Sequence, residues 1–290
     1  MQNLLLPIDD GLPIRVFGPW TSVKLDYLRR YIYMLETSMR NKPWRQRNYI
    51  DLFAGAGKYR EETKGQVFLG SALLALTTEF PFTQMYLADS NKENIDALRL
   101  RCATSQCSID YIVGNANDVV DHIVSEIASV DSKRMPGKWS SLNLAFLDPD
   151  GLELEWSTVK KLASLFRMDL IIYYSQYGLN INFENCYRIK DETVIDRFFG
   201  NSEWRKIYEK WKIRSSMSGI HRELMDHYKD NLQKLGYKDI FEEDPCIEPL
   251  MRNTKRAPLY RLVFASKHRR GHEFWKKVTK RDIYGQGRLL

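Results

Sequence analysis

The 290-residue chain lacks long hydrophobic runs and has only four cysteines. No stretch approaches the roughly 18 apolar residues that a membrane-spanning helix requires, which argues against such a helix. The cysteines include no Cys-x-x-Cys pair, so neither a disulfide framework nor a four-cysteine zinc site is expected. The first residues carry no basic stretch ahead of an apolar one, which is untypical of a secretory signal. We therefore expect a cytoplasmic protein with reduced thiols, no membrane association and no metal site.

Positive charge is concentrated in the last part of the sequence. Over the whole chain 44 Lys and Arg outnumber 37 Asp and Glu, for a net charge of +7. Residues 251–290 hold 12 of the basic residues and only 2 acidic ones, so the rest of the chain has a small negative net charge. A basic end beside a nearly neutral body is typical of contact with a polyanion such as nucleic acid. A solvated surface that only aids solubility is the other interpretation.

Short apolar runs alternate with helical patterns through the middle of the chain. This alternation predicts βαβ units, a parallel sheet, and a ligand site at the carboxyl ends of its strands. The predicted strands are 48–53, 85–88, 109–113, 142–147 and 169–174. The first four strands are followed by predicted helices at 70–78, 92–101, 119–130 and 157–166, respectively.

The same patterns divide the chain into four parts. We predict a helical extension at 1–47, a Rossmann-like cofactor-binding core at 48–183, and a helical insertion at 184–240. The final strands and the basic segment follow at 241–290. The aromatic residues of the insertion, such as Trp204 and its neighbours at helical spacing, suit either core packing or base stacking.

A strand that runs into a Gly-x-Gly turn is the first sign of a ligand site. Asp51 ends this strand, and Gly55 and Gly57 follow it. Glycines let the backbone turn tightly and approach a ligand closely. The turn is not a complete dinucleotide fingerprint, because Arg60 stands where a third glycine belongs, and it lacks the Gly-Lys-Ser/Thr of a Walker A loop. A purely structural turn is the alternative.

Polar residues also end the next three predicted strands. Asp89 ends the second strand, where an acidic residue accepts hydrogen bonds from ribose hydroxyls in related sheets. Asn117 and Asp118 follow the third strand, where they would face an adenine edge. The Asp148-Pro149 step ends the fourth strand and would aim a carboxylate into the cleft. Each feature alone could be a helix cap or a turn, but their repetition at successive strand ends favours a nucleoside-cofactor cleft.

Together these segments resemble motifs I to IV of class I S-adenosylmethionine-dependent methyltransferases. More narrowly, the chain resembles the three-Cys-motif partner protein family, named for the radical-enzyme-like proteins encoded beside its members. The resemblance covers most of residues 15–280. The matching segments are Gly18-Pro-Trp-Thr-x-x-Lys24, Phe53-Ala-Gly-x-Gly-x-Tyr-Arg60, Gly70-Ser71, Asp148-Pro-x-Gly151, Tyr260-Arg-Leu-Val-Phe-Ala-Ser-Lys267 and Phe274-Trp275.

The resemblance implies a Rossmann-like class I methyltransferase fold, with a mainly parallel seven-stranded sheet and a helical insertion before the last strands. It implies S-adenosyl-L-methionine as the cofactor and a radical-enzyme-like partner protein. It assigns the glycine turn to the methionine part of the cofactor, and Asp148 and Pro149 to catalysis beside the acceptor. The residues that it assigns to the cofactor are Asp51, Phe53, Gly55, Gly57, Asp89, Asn117 and Asp118.

The acceptor is expected to be an exocyclic amine of a nucleobase. Enzymes that methylate such amines use Asp or Asn, then Pro, then usually an aromatic residue that stacks on the base. Here Asp150 replaces the aromatic residue, so a base would stack on tyrosines near the end of the fifth strand, unless these belong to core and rim. The expected substrate-binding residues are Asp150, Tyr173, Tyr174, Tyr177 and Lys267.

The sequence thus favours a methyltransferase that acts on RNA or DNA and binds it through the basic end and the insertion. A non-catalytic methyltransferase-like protein that supports a partner is the alternative, and the missing aromatic residue at 150 favours it. An NAD-type oxidoreductase is disfavoured, because the turn lacks the third glycine and Asp148-Pro149 has no role in hydride transfer.

Overall fold

A computed structural model describes residues 5–133, 136–214, 219–238 and 247–280. The strands, numbered along the chain, are β1 (Arg15–Phe17), β2 (Arg47–Asp51), β3 (Lys58–Glu61), β4 (Val67–Leu69), β5 (Gln84–Asp89), β6 (Ser108–Val113), β7 (Leu142–Leu147), β8 (Met168–Ser175), β9 (Leu250–Arg252) and β10 (Pro258–Ala265). The helices are α1 (Trp20–Met39), α2 (Ser71–Leu76), α3 (Lys92–Arg101), α4 (Ala116–Ser132), α5 (Trp156–Ala163), α6 (Gln176–Arg188), α7 (Val194–Phe199), α8 (Trp204–Ile213), α9 (Ile220–Lys234) and α10 (Arg269–Thr279). None of the helices in these ranges combines the length and apolar character that crossing a membrane requires.

Seven strands form the central sheet in the order β6-β5-β2-β7-β8-β10-β9. The first five of these pair in parallel, whereas β10 is antiparallel to both of its neighbours. The predicted α/β fold, Rossmann-like with a mainly parallel seven-stranded sheet, is confirmed. The chain moves outward from β2 in one direction to β5 and β6 and then returns to β7 on its other side. Ligands of such sheets bind at the carboxyl ends of the strands near this reversal.

Both faces of the sheet are covered, which gives a three-layer architecture. Neighbouring residues of a strand point to opposite faces, so Ile50 belongs to one buried cluster and Tyr49 to the other. Helices α4 to α9 cover the Ile50 face, and α1, α2, α3 and α10 cover the Tyr49 face. Burial on both faces explains why the central strands are nearly continuous apolar runs.

The predicted insertion is part of this core rather than a separate lobe. Trp204 is fully buried and Tyr208 nearly so, both within the cluster on the Ile50 face. Trp211 is partly buried, and its indole N–H donates to Glu223 at 2.8 Å. Core packing therefore accounts for Trp204 and Tyr208, which are too enclosed to stack on a base.

A second, small sheet of β1, β3 and β4 was missed by the sequence analysis. β1 pairs in parallel with β3, and β3 pairs antiparallel with β4. Strands of three or four residues are too short to show an alternating pattern. The extension predicted as helical at 1–47 therefore also contains a strand, which places residues 13–17 beside the glycine turn.

Candidate functional site

A cleft of about 650 Å³ opens at the carboxyl ends of β2, β5 and β7. Its volume lies within the range of about 300–1,000 Å³ that is usual for small-molecule sites. Six parts of the chain contribute to its wall. These are the N-terminal residues 13–17, helix α1 at 21–25, the turn at 52–59, residues 70–71, the strand ends and helix starts at 89–94 and 115–116, and the loop at 148–153.

The glycine turn forms one wall of this cleft. Gly55 and Gly57 adopt φ values of +58° and +88°, a region that glycine enters without strain. A Cβ at Gly57 would lie 2.6 Å from Cδ2 of Leu98, whereas nothing lies within 4 Å of a Cβ at Gly55. Position 57 therefore requires glycine, because any larger side chain would collide with Leu98 beneath the turn. At Gly55 the backbone is not covered by neighbouring atoms, so a ligand could approach it closely. Phe53, also assigned to the cofactor, lines the cleft before them.

Asp89 joins this turn to the end of β5. Its Oδ2 accepts a hydrogen bond from the backbone N–H of Gly55 at 2.9 Å. Its Oδ1 accepts one from the backbone N–H of Asn91 at 2.8 Å and one from the side-chain amide Nδ2 of Asn94 at 3.0 Å. A carboxylate offers about four acceptor positions, so three protein donors leave room for a hydroxyl group in the cleft. The side chain lines the cleft at the place predicted for a ribose-binding acid.

Asp51 lies beneath the turn and is fully buried. Its Oδ1 accepts the Phe53 N–H at 3.2 Å, and its Oδ2 accepts the Tyr49 hydroxyl at 3.2 Å. Burial raises the pKa of Asp51 to about 7, although hydrogen bonds from Ser71 and Phe53 oppose this rise. Asp51 therefore contacts both the turn and Ser71, which line the cleft.

Asn117 and Asp118 do not form the wall at the end of β6. The Asn117 side chain binds the loop before α5, where it donates to Glu153 O at 2.8 Å and accepts the Thr158 hydroxyl at 2.7 Å. Asp118 is exposed in the first turn of α4. The residues that line the cleft here are Asn115 and Ala116. Asn117 and Asp118 therefore do not lie where the adenine contacts were expected, because α4 turns both side chains away from the cleft.

The Asp148-Pro149 step forms the opposite side of the cleft with α1. Lys24 Nζ lies 2.7 Å from Oδ1 of Asp148, and the two side chains are only 9% and 17% exposed. Burial raises the pKa of Asp148, and the Lys24 ammonium opposes this rise. Pro149, the next residue, is buried. Asp150 is exposed at the cleft mouth and forms an ion pair with Arg15.

The three predicted stacking tyrosines have different environments. Tyr173 is 8% exposed, its ring centroid lies 4.2 Å from that of Tyr260, and its hydroxyl donates to Asp150 O at 3.4 Å. Tyr177 is exposed in the first turn of α6. Tyr174 is fully buried on the other face, edge-on to Phe198. Stacking of a substrate base on Tyr174 is therefore wrong, since neighbouring strand residues face opposite ways.

The prediction that Lys267 binds substrate is also wrong. Its Nζ donates to the carbonyl oxygens of Ala163 and Leu165 at the end of α5. β10 runs antiparallel to β8, with Ala265 opposite Leu170 near the start of that strand. Lys267 therefore follows β10 at the edge of the sheet that lies away from the cleft.

The N-terminal wall of the cleft is held by a buried ionic cluster that the sequence analysis missed. The Asp10 side chain is 2% exposed, and its carboxylate lies 2.7 Å from Lys58 Nζ and 2.6 Å from Arg101 Nη2. Arg101 also donates to Pro13 O at 3.0 Å, which fixes the segment that continues into β1. The Gly18-Pro-Trp-Thr-x-x-Lys24 pattern was the one feature of the sequence which indicated that this N-terminal region contributes to the cleft.

Comparison with known proteins gives distant structural likenesses. No protein-family model matches the sequence, and no curated protein is significantly similar to it. Protein LPL1258 from Legionella pneumophila, of family model DUF519, has 10% identity over 63% of this chain and 75% of its own, with a TM-score of 0.39. The plantazolicin methyltransferase BamL, crystallised with a triazolic desmethylPZN analog and SAH, has 10% identity over 86% of this chain and 87% of its own, also with a TM-score of 0.39. At this level the likeness adds nothing to the site, whose character follows from its own residues.

The cleft combines two functional halves. One half offers the glycine turn and the Asp89 carboxylate, which suit a ligand that carries a ribose. The other half offers Asp148, which could accept N–H groups from a second molecule. Among the described residues no three His, Cys, Asp or Glu side chains are grouped so as to hold a metal ion.

Proposed function

We propose that this protein is an S-adenosylmethionine-dependent methyltransferase. The proposal is supported above all by Asp89, which lines the cleft and at the same time accepts the Gly55 N–H at 2.9 Å. This contact joins the glycine turn to the carboxylate that would accept hydrogen bonds from a ribose. The unit lies at the carboxyl edge of the sheet, where nucleotide ligands bind in such folds.

The residues of the cleft fit this cofactor. Asp89 would accept the ribose hydroxyls, and the turn from Phe53 to Gly57 would lie against the methionine part, since nothing lies within 4 Å of the Cβ position at Gly55. Asn115 and Ala116 would lie beside adenine, in place of the two residues predicted from the sequence.

Bound S-adenosylmethionine supplies an electrophilic methyl group. The protein's own residues must orient the acceptor in line with it and exclude water. Asp148 would accept the N–H groups of the acceptor, and buried Pro149 fixes the backbone that carries this carboxylate. Arg15 and Asp150 would close the mouth from the solvent side through their ion pair.

The proposed acceptor is an exocyclic amine of a nucleobase in RNA or DNA. Two features support it: a carboxylate directly after β7, and the exposed Tyr177 in the first turn of α6, just after the next strand. The basic segment 251–290 supports a polyanionic substrate, although its last ten residues lie outside the described part of the chain.

A second candidate is a non-catalytic binding protein that supports a radical-enzyme-like partner. The ion pairs favour it, because the carboxylates of Asp148 and Asp150 already have basic partners within the chain. Lys24 pairs with Asp148, and Arg15 pairs with Asp150. An acceptor amine would have to share Asp148 with Lys24.

Two measurements separate these functions. Calorimetry with S-adenosylmethionine and S-adenosylhomocysteine should show binding of both ligands, and no binding of either would refute the methyltransferase proposal. Labelled methyl groups should then enter one of the tRNA, rRNA or DNA pools, and Asp148→Ala should abolish this transfer. Binding without transfer to any pool would favour the non-catalytic candidate.

A further inference from the structure

Lys24 reaches the acceptor side of the cleft from outside the central sheet. It lies in the second turn of α1, 124 residues before its partner Asp148, and contacts both carboxylate oxygens. Both side chains are largely buried. Withdrawing two charges from water is costly unless their geometry is good, so this pair is a specific arrangement rather than an incidental surface contact.

Two aromatic rings fix the ammonium group in place. Lys24 Nζ lies 5.4 Å from the ring centroid of Tyr260 and 5.7 Å from that of Tyr173. A cation within about 6 Å of an aromatic ring is attracted to it. These tyrosines come from β10 and β8, so three elements outside the Asp148 loop define where the Asp148 carboxylate points.

Several charged and titratable groups surround Asp148, and among them the Asp150 carboxylate disfavours the ionised form of Asp148. Its burial acts in the same direction. Lys24 and the more exposed Arg15 are the cations that favour the carboxylate. The groups around Asp148 are Lys24 from α1, Arg15 from β1, Asp51 and Tyr49 from β2, Asp150 from its own loop, Tyr173 from β8 and Tyr260 from β10.

We infer that Lys24 is the positioning residue of the transfer site, which holds Asp148 as a carboxylate aimed at the acceptor amine. This inference rests on the proposed function, because it specifies how Asp148 serves methyl transfer. The amine nitrogen forms its bond to the methyl carbon while the carbon–sulfur bond breaks and its electron pair goes to sulfur. The nitrogen then releases a proton to the Asp148 carboxylate, which only the ionised form can accept.

The test compares Lys24→Met with Lys24→Arg in the full-length protein. Lys161→Met is the matched control, because Lys161 also pairs with an aspartate, Asp121 at 2.7 Å, but on an exposed surface. One readout is the pH titration of the Asp148 carboxyl carbon by ¹³C NMR, assigned with Asp148→Asn. The other is the pH profile of kcat for methyl transfer. Circular dichroism verifies that each variant is folded.

In Lys24→Met we expect the titration midpoint of Asp148 and the acidic limb of kcat to move upward together by about one pH unit or more. Lys24→Arg should restore both, and Lys161→Met should match the wild type. An unmoved midpoint in folded Lys24→Met overturns the inference, as does a loss of activity that is equal at every pH. If the wild type transfers no methyl group, the proposed function fails, while the NMR titration still decides whether Lys24 sets the ionisation of Asp148.

Discussion

The Asp89 carboxylate and the Gly55 backbone N–H are joined by a hydrogen bond of 2.9 Å. This bond links two segments that are separate in the sequence, the end of β5 and the turn after β2. The adjacent backbones are also joined, because Ala54 N–H donates to Ala88 O at 2.9 Å. A change at Asp89 therefore affects both the wall of the cleft and the shape of the turn.

Replacing Asp89 with Ala should weaken binding of S-adenosylhomocysteine by about 10- to 100-fold, since a hydrogen bond to a charged group contributes about 1.5–3 kcal/mol. Calorimetry measures this change. Asp96→Ala is the control, because Asp96 pairs with Lys92 on the exposed surface of α3. An unchanged dissociation constant in Asp89→Ala would show that the cofactor binds elsewhere.

Replacing Gly57 with Ala should lower the free energy of unfolding by about 1–3 kcal/mol more than replacing Gly65 does. Both glycines have positive φ values, +88° and +67°, so both variants strain the backbone. Only the new Cβ at 57 meets a neighbour, Leu98 Cδ2 at 2.6 Å. Urea unfolding measures both variants, and equal losses would contradict the described packing beneath the turn.

Replacing Asp10 with Ala should lower the free energy of unfolding at neutral pH by about 3–5 kcal/mol, because it leaves buried cations unpaired. The side chains of Lys58 and Arg101 are fully buried around it. Asp9→Ala is the matched control, since Asp9 is 55% exposed in its pair with Arg60 and such pairs contribute at most about 1 kcal/mol.

The Asp10 effect should also depend on pH. The Arg101 and Lys58 contacts hold the pKa of Asp10 well below its ordinary value of 3.8. The stabilisation is therefore present above pH 3.8 and lost as the pH falls through the lower folded-state pKa. Urea unfolding of the wild type and Asp10→Ala across this range would contradict the cluster if their difference did not shrink in acid.

Replacing Asp51 with Asn should stabilise the protein more in alkaline than in acidic solution. Burial raises the pKa of Asp51 from 3.8 to about 7, so the folded state binds a proton that the unfolded state has lost between these values. The free energy of unfolding therefore falls as the pH rises through this window, and the variant lacks this fall.

Relative to the wild type, Asp51→Asn should gain about 1–3 kcal/mol between about pH 5 and about pH 8. Urea unfolding at both pH values measures the gain. Asp121→Asn, which removes an exposed carboxylate, is the control. A constant difference between Asp51→Asn and the wild type would mean that Asp51 is ionised throughout.

The fold was largely predictable because its signals are local. Helix α3 and strand β7 begin and end where the sequence predicts, at 92–101 and 142–147. Asn91 caps the helix by accepting Glu93 N–H at 2.8 Å, and polar residues bound the apolar run of the strand. Such features need no knowledge of the rest of the chain.

The residues that line the candidate cleft were predictable only where they follow a strand directly. Asp89 and the glycine turn meet this condition, whereas Lys24 meets Asp148 from 124 residues away and no local pattern shows that the two residues pair. The prediction that Tyr174 stacks on a substrate base was wrong for another reason. Both faces of β8 are buried, so its sequence does not show which of two adjacent tyrosines faces the cleft. The prediction that Lys267 binds substrate was wrong because the amino-acid composition of β10 does not show that this strand runs antiparallel to β8.

Helix α1 is supported by the last helix that the structure describes. Arg30 donates to Val278 O at 2.7 Å, across 248 residues, and the Tyr31 ring lies 5.9 Å from that of Trp275. Chains emerge from the ribosome at about 5–20 residues per second, so α1 waits for this support for tens of seconds. During synthesis, the side of the cleft formed by β2 and β5 can fold while α1, which carries Lys24, still lacks its contacts with α10. We therefore expect the two sides of the cleft to form at different times, with the side that carries Lys24 completed last.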